Sequence, residues 1–126
     1  MLRILHLEDC KEDALLIEHA VCDGGIKAQF TLVRDETGFI SALEQDQFDV
    51  VLADNAIKGF DGLTALKMVQ KRRPDVHFFC LSGFSDPNHI QKSLAAGATD
   101  YISKDNLSHL VTVLRQEQEK MHGRHK

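Results

Sequence analysis

Phe48-Asp49-Val50-Val51-Leu52-Ala53-Asp54 is the stretch that decides the fold. From Phe48 to Ala53 it is almost continuously apolar. That suits a strand covered on both faces, as in a parallel sheet flanked by helices, and not the alternation of a half-solvated strand. The run ends directly on a carboxylate, Asp54.

Working outward, strand-like and helix-like segments alternate. Leu2 to Leu7 reads as a strand stopped by the acidic pair Glu8-Asp9. Asp13 to Asp23 follows as a helix, with Leu16, Ala20 and Ile17 as its expected apolar face and Gly24-Gly25 as its stop. Ala28 to Val33 is rich in β-formers. Thr37 is the expected cap of a second helix carrying Phe39, Ile40 and Leu43 at helical spacing. Beyond Asp54, a loop with Gly59 and Gly62 leads to a helix from Leu63 to Lys71, closed before Pro74. Val76 to Leu81 is the fourth strand, ending at Ser82-Gly83. Asp86-Pro87 opens a fourth helix, which Gly97 ends. Thr99 to Ile102 is a short last strand ending near Lys104, and Leu107, Leu110, Val111 and Leu114 give the last helix its apolar stripe. Residues 122–126 read as a polar tail after one domain, 1–121. Strict alternation of this kind predicts an α/β fold with a parallel sheet, helices on both faces and right-handed connections.

The bulk numbers agree. With 126 residues the chain suits one domain, and 43% hydrophobic with 27% charged residues is ordinary for a soluble protein. A net charge of −4 with dispersed Lys and Arg argues against nucleic acid as a direct partner. The Lys71 to Arg73 cluster is read as a helix end, where cations suit the dipole. Cys10, Cys22 and Cys80 form no metal-ligand or disulfide pattern, which points to a reducing cytoplasm. Arg3, His6 and Glu8 interrupt the first apolar stretch, so it is not read as a signal peptide, and no apolar run is long enough to span a bilayer.

In open α/β sheets ligands bind beyond the carboxyl ends of the strands. Those ends offer Glu8 and Asp9 on strand one, Asp54 on strand three, Ser82 on strand four and Lys104 on strand five. Singly, each has a plain structural role as a cap, turn residue or surface charge. Together they describe a chemistry. Three carboxylates held close repel one another unless a cation compensates, and oxygen donors favour Mg²⁺ over zinc. A hydroxyl and an ammonium opposite the metal suit an anion with several oxygens. A carboxylate nucleophile in that setting is expected to take a phosphoryl group.

The same residues carry a family resemblance. Ile4-Leu5-His6-Leu7-Glu8-Asp9, the Asp54 strand, Asp61-Gly62, Ser82-Gly83 and Gly97-Ala98-Thr99-Asp100-Tyr101-Ile102-Ser103-Lys104 resemble the motifs of response-regulator receiver domains over nearly the whole chain. The resemblance implies a flavodoxin-like (βα)5 three-layer sandwich with strand order 2-1-3-4-5. It also implies Asp54 as phospho-acceptor and Asp9 as metal ligand, with Glu8 acting through water and the Ala56 carbonyl completing the set. Ser82 and Tyr101 would form the switch pair. The donor would be a phosphohistidine on a sensor histidine kinase or phosphotransfer protein, with no membrane partner and with a homodimer left open.

Two positions depart from the family pattern. Asp105 follows Lys104 where proline in a cis peptide is usual, so a trans bond or reshaped loop is expected. Lys58 stands where the loop after the acceptor usually has proline. Ala56 and Phe84 occupy the positions that tune the attacking water, and neither side chain can orient it, so slow self-dephosphorylation is expected. His122 and His125 are read as solvated tail, His6 as a hydrogen-bonded, partly buried histidine, and Cys80 and Phe78-Phe79 as core.

Three other functions compete. A receiver-like interaction module that is never phosphorylated would typically lack the acceptor or the acidic pair. An aspartate-dependent phosphohydrolase would carry a second aspartate at position 56. A flavodoxin would not place acids in the loop that meets a flavin phosphate. No DNA-binding helix pair follows the last helix, so the output lies outside what the residues name.

Overall fold

The computed structural model describes residues 1–54, 57, 59–83 and 87–124, with side chains as far as Lys120. Its elements alternate as β1 (Leu2–Leu7), α1 (Lys11–Asp23), β2 (Ala28–Val33), α2 (Glu36–Gln45), β3 (Val50–Asp54), α3 (Gly62–Arg72), β4 (His77–Ser82), α4 (Pro87–Ala95), β5 (Asp100–Ser103) and α5 (Leu107–Arg124). The strands form one parallel five-stranded sheet in the order β2-β1-β3-β4-β5. This is the flavodoxin-like sandwich that the sequence implies.

Alternation along the buried strands divides the core in two. In β3, Val50 and Leu52 face one side and Val51 and Ala53 the other; in β4, Phe79 and Leu81 oppose Phe78 and Cys80. Ile17 and Val21 of α1 and Leu110 and Leu114 of α5 close the first face. Phe39 and Leu43 of α2 and Leu66 and Val69 of α3 close the second. Each large apolar side chain removed from water contributes about 1.5–3 kcal/mol, and every side chain of β3 is buried, so the strand that ends at Asp54 is firmly held. The registers pair Leu7 with Ala53 and Asp54 with Leu81, which brings the ends of β1, β3 and β4 to one level.

Local structure departs from the sequence reading in instructive places. The buried face of α1 is Ala14, Ile17 and Val21, whereas Leu16 is 57% exposed and Ala20 only half-buried. Thr37 does not cap α2. The cap is Asp35, whose Oδ1 accepts from the Gly38 amide at 2.8 Å, and α2 begins at Glu36. The Lys71-Arg72-Arg73 cluster does end α3, and Arg73 also reaches across to the Leu43 carbonyl of α2 at 3.0 Å. Gly97 ends the turn after α4 at φ +113°, where a side chain would be strained. Among the described residues no peptide bond is cis, so the Lys104-Asp105 bond is trans, as expected of a non-proline. The last helix runs past Met121 to Arg124. Asp86, Lys58 and His125, and the side chain of His122, lie outside the described residues.

His6 is the sharpest correction. It is not partly buried but 0% exposed, and neither ring nitrogen has a hydrogen-bond partner among the described residues. Its ring lies 6.1 Å from that of Phe30, between β2 and β3 neighbours Leu32 and Leu52. Burial, reinforced by the charge of Lys104 and opposed by that of Asp54, lowers its pKa from 6.5 to about 4.

Candidate functional site

The site is built where the strands stop. Glu8 follows β1, and its amide donates to the Val33 carbonyl at 3.0 Å, which extends the β1–β2 ladder by one bond. Its side chain is 1% exposed, and its Oε2 accepts from the Cys10 amide at 3.3 Å, at the entry to α1. Asp9 is exposed beside it. Asp54, the last residue of β3, is 4% exposed, and Ser82, the last of β4, is 6% exposed. Ser82 lies one residue past Leu81, the register partner of Asp54.

Among the described residues, Glu8, Asp9 and Asp54 are the one acidic group whose ligand atoms all lie within 4.8 Å of one another. Lys104 reaches in from the loop after β5. Its amide donates to the Ser82 carbonyl at 2.8 Å, which pins the loop to β4. Its Nζ stands 2.7 Å from Glu8 Oε1, 2.9 Å from Asp13 Oδ2 and 3.4 Å from Asp54 Oδ2. Of the five strand-end residues singled out from the sequence, Glu8, Asp9, Asp54 and Lys104 meet here. Sequence reading missed Asp13. The signal available was that a helix starting just past Asp9 must lay its first turn over the strand ends.

The electrostatics follow from this crowding. Burial and the neighbouring Asp54 carboxylate raise the Glu8 pKa from 4.5 to about 7, against the pull of Lys104. Burial alone would lower the Lys104 pKa, but Glu8, Asp13 and Asp54 outweigh it and hold the ammonium firmly charged. Lys104 in turn lowers the Asp13 pKa. Among the described residues, the buried carboxylates of Glu8 and Asp54 share a single ammonium, which leaves an excess of negative charge. An oxygen-donor set of this kind fits a hard divalent cation, which Glu8, Asp9 and Asp54 could hold together.

Tyr101 on β5 is 8% exposed, with its ring 6.1 Å from that of His89 on α4. His89 Nδ1 lies 3.3 Å from the hydroxyl of Ser93, a wholly buried residue. Cys80 packs in the core beneath, where burial pushes its thiol pKa up, as expected of a small buried hydrophobe. Phe78 and Phe79 are core residues at 2% and 1% exposure. Ala56 and Phe84, expected to complete the metal set and to tune water, lie outside the described residues.

Comparison with known proteins supplies the family. The family model described as the response regulator receiver domain matches residues 4–115. A curated relative, the uncharacterized transcriptional regulatory protein YhcZ of Bacillus subtilis, is 33% identical over 66 residues, covering 52% of this chain and 31% of its own. The chain spans between 19% and 31% of the length of the leading curated relatives. Among solved structures, the signal receiver domain of a DNA-binding response regulator from Colwellia psychrerythraea superposes with a TM-score of 0.85 at 20% identity, covering 94% of this chain and 99% of that one. The BeF₃-activated receiver domain of DrrB, a Thermotoga maritima protein, gives 0.82 at 22% identity, covering 94% and 98%. At such identities the structural likeness speaks for the fold, and the family match speaks for membership: this chain belongs to the response regulator receiver domain family.

Proposed function

We propose that the domain is the phospho-acceptor switch of a two-component phosphorelay, with Asp54 taking a phosphoryl group from a phosphohistidine. The observation that carries this reading is the convergence of Glu8, Asp9 and Asp54 within 4.8 Å, with the Lys104 ammonium 3.4 Å from Asp54. An Asp54 carboxylate oxygen attacks phosphorus, the donor's N–P bond breaks, and the freed imidazole takes a proton. The product is an acyl phosphate on Asp54. Lys104 and the Ser82 hydroxyl then face the phosphoryl oxygens, where fixed donors act without reorganisation. Glu8, Asp9, Asp54 and the Ala56 carbonyl are the groups assigned to hold Mg²⁺, which when bound neutralises the phosphoryl charge. Ser82 and Tyr101 form the switch pair that transmits the change to the surface of α4 and β5.

The partner on this reading is a sensor histidine kinase or a histidine phosphotransfer protein, not nucleic acid or a membrane. Among the described residues no helix is long and apolar enough to cross a bilayer. Cys10, Cys22 and Cys80 are free thiols, which suits a reducing cytoplasm. Ala56 and Phe84 offer no side-chain group to orient water, so the acyl phosphate is expected to persist well beyond seconds.

The test is to treat the protein with acetyl phosphate and Mg²⁺ and follow its intact mass. One added phosphoryl group, absent in Asp54→Asn and with EDTA, supports the switch. No addition to a folded, Mg²⁺-binding protein would favour a phosphorylation-independent interaction module. Loss of the added mass within seconds, with no phosphatase present, would refute the slow-hydrolysis expectation. Size-exclusion chromatography of the same samples reads whether two copies associate.

A further inference from the structure

Among the described residues Lys104 is the one ammonium reaching the buried carboxylates, and its environment is divided. Its backbone is fixed by the bond to Ser82, so only the side chain can redistribute. Two acceptors, Glu8 and Asp54, belong to the acidic group that could hold a cation. The third, Asp13 at 2.9 Å, does not: it stands on the first turn of α1, is 41% exposed, and approaches from the solvent side. Beside this contact lies a cavity of only about 20 Å³, lined by Asp13, Leu16, Ile17, Lys104 and Leu107. The Lys104 side chain is 15% exposed, and its ammonium meets Asp13 at closer range than Asp54.

We propose that Asp13 is a positioning residue that holds Lys104 toward α1 in the resting domain and competes with the phosphoryl group for its ammonium. The inference rests on the reading of Asp54 as phospho-acceptor. A phosphoryl group on Asp54 must attract an ammonium already paired with a carboxylate. Asp13 is no part of the acidic group, so a cation held by Glu8, Asp9 and Asp54 would leave its carboxylate available to Lys104. Asp13 thereby sets how strongly the site favours the phosphorylated form. A removable side chain on the outer turn of a helix does this without altering the acceptor, the acidic pair or the hydroxyl.

The test uses beryllofluoride as the phosphoryl analogue, with Mg²⁺, and calorimetric titration of the intact protein. Removing the competitor in Asp13→Asn should tighten binding about two- to fivefold, the worth of a partly exposed ion pair. Asp13→Glu, which can restore the pair, should bring it back toward wild type. Glu12→Gln removes the same charge from the same turn without a Lys104 contact, so it separates positioning from the general field and should change little. In metal-free protein, the Lys104 side-chain nitrogen NMR signal should move in Asp13→Asn and stay in Glu12→Gln. Equal effects of Asp13→Asn and Glu12→Gln, or no tightening in Asp13→Asn, would overturn the proposal while leaving the switch intact. A folded wild type that binds no beryllofluoride would remove the phospho-acceptor reading, and this proposal with it.

Discussion

Replacing His6 with leucine should make the domain markedly less sensitive to acid. In the wild type the ring is wholly buried, and its pKa is about 4 against 6.5 in the unfolded chain. A histidine whose folded pKa is depressed contributes stability that is complete above 6.5 and is lost as pH falls toward 4. Between pH 7 and pH 5 the unfolded chain takes up a proton that the native ring refuses, at about 1.4 kcal/mol per pH unit once well below 6.5. Integrated over that window, the loss is about 2 kcal/mol. Glu8 runs the other way: its folded pKa is raised to about 7, so its burial disfavours the native state at high pH, and that burden lifts as the carboxylate protonates. The two groups partly cancel in the wild type. His6→Leu leaves Glu8 unopposed, so the variant should gain about 2 kcal/mol relative to wild type on going from pH 7 to pH 5. Urea titrations of both proteins at the two pH values, in EDTA so that no cation holds Glu8, measure this double difference directly. Changes common to both proteins, including repacking around the leucine, drop out. A double difference below about 0.5 kcal/mol would refute the assignment of His6 as a neutral, desolvated group.

Other expectations are more local. Asp35→Ala removes the acceptor for the Gly38 amide and should cost about 1 kcal/mol by urea denaturation, with Asp35→Asn keeping most of it. Gly97→Ala places a side chain at φ +113°, and its Cβ would run into the Gln70 amide that donates to the Ala96 carbonyl. A loss of about 1–3 kcal/mol is expected, seen as a lowered Tm, and an unchanged Tm would contradict it. Mg²⁺ at tenfold its Kd should stabilise the protein by about 1.4 kcal/mol through mass action. Asp9→Asn should abolish most of that gain in a thermal melt, and Ca²⁺-free buffers keep the comparison clean.

The parts of the fold that could be read from residues alone are those in which side-chain chemistry and chain geometry agree. The β3 run suited a doubly covered strand, and polar residues stood where the strands end. The face of α1 was harder, because Ala14, Leu15, Leu16, Ile17, Ala20 and Val21 allow more than one apolar stripe. The structure buries Ala14, Ile17 and Val21 and leaves Leu15 and Leu16 more than half exposed. The α2 cap was misread as Thr37 because both residues are good caps, and only the Gly38 amide direction selects Asp35. Asp13 was missed for a different reason: its place over the strand ends follows from where α1 starts, but its partner Lys104 is 91 positions away and no local pattern names it. His6 looked like an ordinary strand residue because burial on both sides of β1 depends on helices that fold against it later in the chain.

Tyr101 has a practical consequence. It is the chain's only tyrosine, and there is no tryptophan, so phenol emission comes from a single ring. That ring is nearly out of water and 6.1 Å from the imidazole of His89. Any movement of the ring relative to solvent or to His89 changes the quantum yield of the whole molecule. The domain thus comes with a built-in optical gauge, and its conformational kinetics can be followed in a stopped-flow cuvette without attaching a dye.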